Sequence, residues 1–188
     1  HAMLCARVFD HSVLHRMAAV SSVPVVNMLS DFAHPLQAVA DVLTMQQNLG
    51  ELNGKTVTYV GDFNNVARSL CEASAMLGMH IRLGCPEGYD AQDNELLGLT
   101  ELGAASVEQY RDIAIAVTGA HAVHTDTWTS MGQESESAER EAVFAGFEVT
   151  NEIMSHADPS AIFMHCLPAH RGQEVSPSVI DGPQSKIY

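Results

Sequence analysis

Near the end of the chain, the apolar run Ala161–Met164 gives way to His165-Cys166-Leu167-Pro168-Ala169-His170-Arg171-Gly172. A thiol, two imidazoles and a guanidinium therefore follow a buried-looking strand within one short loop. Imidazolium neighbours lower a thiol pKa, which would make Cys166 a thiolate near neutrality. The plainer reading is a buried cysteine acting as a small hydrophobe. Pro168 and Gly172 favour a loop of fixed shape over a casual turn.

Four further stretches carry groups of the same kind. Asp126-Thr127-Trp128-Thr129-Ser130-Met131-Gly132 places a carboxylate at a strand end, with a hydroxyl and backbone groups one short loop later. A carboxylate there can hold an ammonium; alternatively, Ser130 is a helix N-cap. Gly61-Asp62-Phe63-Asn64-Asn65 lacks the glycine pattern of a dinucleotide site, so its asparagines either cap a helix or reach a ligand carboxylate. His34-Pro35-Leu36-Gln37 opens a helix, and helix N-termini attract anions. Arg7, one of only nine cations, sits beside apolar residues in Cys5-Ala6-Arg7-Val8-Phe9.

The elements that must position these groups follow from apolar spacing. Lys55–Asp62 reads as a buried strand, and residues 64–79 carry apolar side chains at 66, 67, 70, 73, 76 and 77, a helical period. Strands are expected in His80–Gly84, Ala105–Tyr110, His121–Trp128 and Ala161–Leu167, with helices over 93–103, 111–120 and 147–157. Gln133–Glu141 is strongly acidic without apolar periodicity and reads as a solvated, mobile loop. Residues 34–50 form a long amphipathic helix, preceded by a strand-like segment that looks like an incomplete unit. Five strands alternating with helices predict an α/β domain, doubly wound and Rossmann-like, with a parallel sheet covered on both faces. In such sheets ligands lie beyond the carboxyl ends of the strands, where Asp62, Asp126 and Cys166 would meet.

Composition bounds the function. The 188 residues are 46% hydrophobic, enough for a sizeable core, and carry a net charge of −14. That charge argues against nucleic-acid or anionic-membrane partners. Four scattered cysteines, with no CxxC pair, read as reduced thiols of a cytoplasmic protein. No apolar run approaches the length of a bilayer span.

Taken in order and spacing, HPLQ, GDFNN, DTWTSMG and HCLPAHRG resemble the ornithine carbamoyltransferase family, over essentially the whole chain. The HPxQ helix is shared among carbamoyltransferases, whereas DxxxSMG and HCLP mark the ornithine branch. The resemblance implies carbamoyl transfer from carbamoyl phosphate to the δ-amine of L-ornithine, with no metal or cofactor. It implies that Arg7, His34 and Gln37 contact carbamoyl phosphate. Asn65, Asp126, Ser130 and Met131 would bind ornithine, and Cys166 with Leu167 would stand between the two substrates. Arg171 shares the loop without an assigned role. Catalysis would fall to Cys166, Arg7 and His34, by amine attack without a covalent cysteine intermediate.

The same resemblance divides the chain into residues 1–33, a remnant of the carbamoyl-phosphate domain, 34–50, the interdomain helix, and 51–188, the ornithine-binding domain. A Ser-Thr-Arg-Thr-Arg phosphate loop is expected of the family and does not occur here. Both ends read as cut, so little or no activity is expected of these residues alone, and a trimer is expected of the intact parent. The rival readings are a carbamoyltransferase for putrescine or an N-acylated ornithine, a non-catalytic amino-acid-binding domain, and a nucleotide-dependent oxidoreductase.

Overall fold

The computed structural model describes residues 2–130 and 132–187. Strand β3 (Thr56–Val60) is buried along its whole length, as its β-branched and aromatic run demands of a strand covered on both faces. Around it lie β4 (His80–Gly84), β5 (Ser106–Tyr110), β6 (Ala122–Thr125) and β7 (Ile162–His165) in the order β5-β4-β3-β6-β7. Every pairing is parallel. The strand order reverses between β3 and β6, which opens a crevice at their carboxyl ends. The expected doubly wound α/β sheet is present.

Alternate side chains along each strand feed two cores. Val57, Tyr59 and Ile81 pack with Met45, Leu70, Cys71 and Leu99 on one face. Those partners come from α2 (Pro35–Leu49), α3 (Asn65–Met76) and α4 (Asp93–Glu101). Val60, Val123 and Phe163 pack with Ile113, Val117, Met154 and Ile180 on the other. These come from α5 (Ile113–Val117), α7 (Asn151–Met154) and α8 (Pro177–Ile180). Upstream, β1 (Leu4–Arg7) and β2 (Val25–Leu29) form a separate two-stranded parallel sheet joined by α1 (Ser12–Val20).

Local chemistry sets the helix starts that matter for the crevice. Asn64 caps α3, its Oδ1 accepting from the backbone N–H groups of Val66 and Ala67 at 3.0 Å each. Such a cap is worth about 1 kcal/mol. Pro35 begins α2, where a missing N–H costs nothing.

Two expectations need correction. The acidic stretch read as a loop is a 3-10 turn (Glu134–Glu136) running into α6 (Ser137–Phe144). Its buried positions are Arg140 and Phe144, four apart on one helical face. A cation at the first of them hides the apolar period. The helix expected over 147–157 shrinks to α7, because Val149 bridges to Val175 in extended conformation before Thr150 caps the turn.

Candidate active site

The crevice at the reversal point is a cavity of about 680 Å³. Arg7 lies at the end of β1, Ser30 just beyond β2, and His34 and Gln37 at the start of α2. On the opposite wall, Asn65 opens α3, Asp126 follows β6, and Cys166 with Leu167 follows β7. Ser130 lines the same cavity. Met131 lies outside the described residues. The other eight residues expected at a site are thus brought to one cavity by five elements and the loops that follow them.

Asp126 is its buried acid, 6% exposed. Asn64 Nδ2 donates to its Oδ2 at 2.8 Å, and Thr127 N–H donates to Oδ1 at 2.8 Å. The thiol of Cys166 donates to the same Oδ1 at 3.0 Å. Burial, and then the charge of Asp126, pushes the Cys166 thiol far above its ordinary range. That overturns the expected thiolate. The imidazoles meant to lower it are engaged elsewhere. His165 Nε2 faces the buried Glu174 at 3.3 Å, while its Nδ1 accepts from Leu167 N–H at 2.8 Å. His170 Nδ1 lies 3.1 Å from Thr127 Oγ1, and Arg171 pairs with Asp181 at 2.7 Å on the surface. Of the loop's four reactive side chains, only Cys166 lines the cavity. Leu167 is held at φ 57°, a left-handed conformation that a branched residue keeps only when its surroundings impose it.

Across the cavity, His34 N–H donates to Ser69 Oγ at 2.9 Å, and Asn65 Nδ2 donates to the Ser30 carbonyl at 2.7 Å. These bonds fasten the 30–34 segment to the first turns of α3. Burial, and then the Arg7 charge, depress the His34 pKa, so the imidazole is neutral at pH 7. Ser130 does not cap α6. Its N–H donates to Gln133 Oε1 at 3.0 Å, closing a turn. Gly132 completes that turn at φ 87°, and a Cβ there would stand 3.4 Å from the Phe9 ring. The loop after β6 therefore comes close to the end of β1.

Arg68 and Arg140 escaped the sequence reading, which placed Asp62 at a strand end without a partner. Asp62 and Arg68 line the cavity. Arg140, 3% exposed, pairs with Asp62 and donates to the Trp128 carbonyl. Its guanidinium lies 4.8 Å over the Tyr89 ring. Burial raises the Asp62 pKa against the opposing pull of Arg140. A lone cation in an acidic run, four residues before a phenylalanine, was the available signal.

The donor atoms of Asp126, His165 and Cys166 lie within 4.8 Å of one another, the one potential metal-ligating group among the described residues. Binding there would require the Cys166 proton to leave. Without an ion, the cavity offers a carboxylate for an ammonium, amides for a carboxylate, and Arg7 with a neutral His34 for an anion or carbonyl. No described helix is long and apolar enough to cross a membrane.

Residues 53–188 match the sequence profile of the aspartate/ornithine carbamoyltransferase Asp/Orn-binding domain, and residues 1–47 that of the carbamoyl-phosphate-binding domain. Ornithine carbamoyltransferase of Prochlorococcus marinus is 45% identical over 99% of this chain and 59% of its own length. That of Symbiobacterium thermophilum is 48% identical over 97% and 60%. The solved structure of ornithine carbamoyltransferase from Pyrococcus furiosus superposes with a TM-score of 0.91 at 44% identity, over 98% of this chain and 60% of that one. The chain thus spans about three-fifths of the length of the relatives it matches. With the profile matched over most of its residues and the parallel sheet shared, the chain belongs to the aspartate/ornithine carbamoyltransferase family, and these relatives are ornithine carbamoyltransferases.

Proposed function

We propose that the protein carrying this chain transfers the carbamoyl group of carbamoyl phosphate to the δ-amine of L-ornithine, giving L-citrulline and phosphate. The observation that carries this reading is Asp126, buried at the strand reversal and bound to Cys166, facing Arg7, His34 and Gln37 across one cavity. Asp126 holds the α-ammonium of ornithine, and Asn65 and the Ser130 turn receive its α-carboxylate. The neutral δ-amine attacks the carbamoyl carbon. A C–N bond forms, the C–O bond to phosphate breaks with its electron pair leaving on phosphate, and the amine proton passes to a phosphate oxygen. Negative charge on the carbonyl oxygen in the transition state is met by the Arg7 guanidinium and the neutral His34 N–H. Cys166, as a thiol, orients the amine and takes no part as a nucleophile. Holding the two substrates in line supplies much of the acceleration.

Residues 1–33 are read as part of the carbamoyl-phosphate domain, 34–50 as the helix joining it to the rest, and 51–188 as the ornithine domain. No Ser-Thr-Arg-Thr-Arg loop occurs in the sequence, so the main cationic cradle for phosphate is not among these residues. The 188 residues alone are expected to bind L-ornithine weakly and to turn over little. Calorimetric titration of L-ornithine, with and without carbamoyl phosphate, tests this alongside citrulline assays of the full-length protein. Citrulline from the full-length protein, abolished by D126A, is the expected result. No citrulline, with no heat on adding ornithine, would overturn the reading.

A further inference from the structure

We propose that Asp41, paired in the core with His124, is the positioning residue that presents the Gln37 amide to the cavity. The inference rests on the carbamoyl-transfer reading for its ligand, though not for its geometry. Gln37 Nε2 donates to Asp41 Oδ1 at 2.9 Å, one helical turn along α2. One N–H of the amide is thereby engaged, which turns its NH2 end toward Asp41. The carbonyl, with no bond to Asp41, remains an acceptor, and it suits the NH2 of a carbamoyl group.

What makes this more than a helix-surface pair is the burial behind it. Asp41 is 4% exposed, and its second oxygen, Oδ2, has no hydrogen-bond partner. His124, on β6, is fully buried, with neither ring nitrogen hydrogen-bonded. Its Nε2 lies 3.4 Å from that orphaned Oδ2. The imidazole stacks on Tyr59, with ring centroids 5.8 Å apart and planes 20° apart, so it cannot swing away. Buried polar atoms left unmatched in the core need a reason. Together these two supply one, because an N–H on His124 Nε2 needs to close only a few tenths of an ångström to satisfy Oδ2.

The direction of the amide follows from donor counting. An ionised carboxylate only accepts, so Gln37 can meet it only with its NH2. An amide or a protonated acid at position 41 can also donate, and Gln37 could then turn over and face the cavity with the wrong end. An apolar residue at 124 leaves Oδ2 buried without a donor, so nothing holds the carboxylate in the orientation that meets Gln37. Asp41 and His124 touch no substrate; they act through Gln37.

The test uses the full-length protein with D41N, H124L and H124Q. D41N and H124L are expected to raise KM for carbamoyl phosphate about tenfold, the loss of roughly one hydrogen bond. KM for L-ornithine should stay within twofold. H124Q, whose side-chain N–H can still donate to Oδ2, should restore most of the affinity, which a merely space-filling role would not explain. A second readout needs no turnover: hydrogen exchange of the Gln37 side-chain amide, followed by NMR, should quicken several-fold in D41N and H124L. If H124L fails to fold, the near-isosteric D41N decides. Both variants leaving exchange and the KM ratio within twofold of wild type would overturn the proposal. If wild type makes no citrulline yet the exchange responds as expected, the catalytic reading falls and the positioning stands.

Discussion

The thiol of Cys166 donates to Asp126 Oδ1 at 3.0 Å, and this bond ties the end of β7 to the end of β6 on one wall of the cavity. Burial first, and then the Asp126 charge, keeps the thiol protonated. Alkylation at pH 8, mapped by mass spectrometry, should therefore label the exposed Cys5 at least tenfold faster than Cys166. D126N removes the second cause and should speed Cys166 labelling several-fold. Equal rates at Cys5 and Cys166 in wild type would show a thiolate after all.

Two other thiols make stability fall in alkali. Burial raises the Cys71 pKa strongly and pushes that of Cys85 up to about 12, from an ordinary value of 9.0. Above pH 9 the unfolded chain loses these protons while the folded chain keeps them, so stability drops as pH rises through this range. Each thiol contributes about 1.4 kcal/mol per pH unit once its unfolded form has ionised. Urea midpoints at pH 8 and pH 10 should differ clearly in wild type, and less in the C71A/C85A double variant. A pH-independent midpoint would contradict the burial argument.

The legible part of this fold was the part written in apolar periodicity. β3 announces itself as a Val, Thr and Tyr run buried throughout, and α3 by Val66, Ala67 and Leu70 at helical spacing, whereas α2 is legible as a helix but buries Ala38, Asp41 and Met45 and leaves Leu36, Val39 and Leu43 exposed. The convergence of Asp62, Asp126 and Cys166 followed from the strand-end rule, and that of Asn65 from the resemblance. Helix α6 was not legible, since one of its two buried positions is Arg140, whose partner Asp62 is 78 residues away. The Cys166 thiolate failed for a related reason. Sequence neighbours at 165 and 170 point to Glu174 and Thr127, whereas the thiol is governed first by burial and then by a carboxylate from another strand, 40 residues back.

Arg140 should be the costliest single cation to remove. It is buried against Asp62, the Trp128 carbonyl and the Tyr89 ring, so R140L leaves Asp62 largely buried without its countercharge. Breaking such a pair from one side costs about 3 kcal/mol. The double variant R140L/D62N should recover part of that loss, because no unpaired carboxylate remains. Chemical denaturation of the four members of the cycle measures it. A cost for R140L below about 1 kcal/mol would mean that water already screens the pair.

His34 offers a direct check on the opposite wall. Burial depresses its pKa from 6.5, and the Arg7 charge depresses it further, while Asp41 and Asp126 pull the other way. A lowered folded pKa means that the unfolded chain binds the proton more readily. This contribution to stability is therefore present above pH 6.5 and is lost as pH falls through the folded value. The His34 ring protons, followed by NMR, should titrate with a midpoint below 6.5 in wild type. R7Q removes the second cause and leaves the burial, so the midpoint should rise without reaching the ordinary value. A midpoint unmoved by R7Q would separate Arg7 from His34 electrostatically, and the two could not then share the charge of one carbonyl oxygen. A rise would place both donors on the same small volume of the cavity, as the proposed carbamoyl transfer requires.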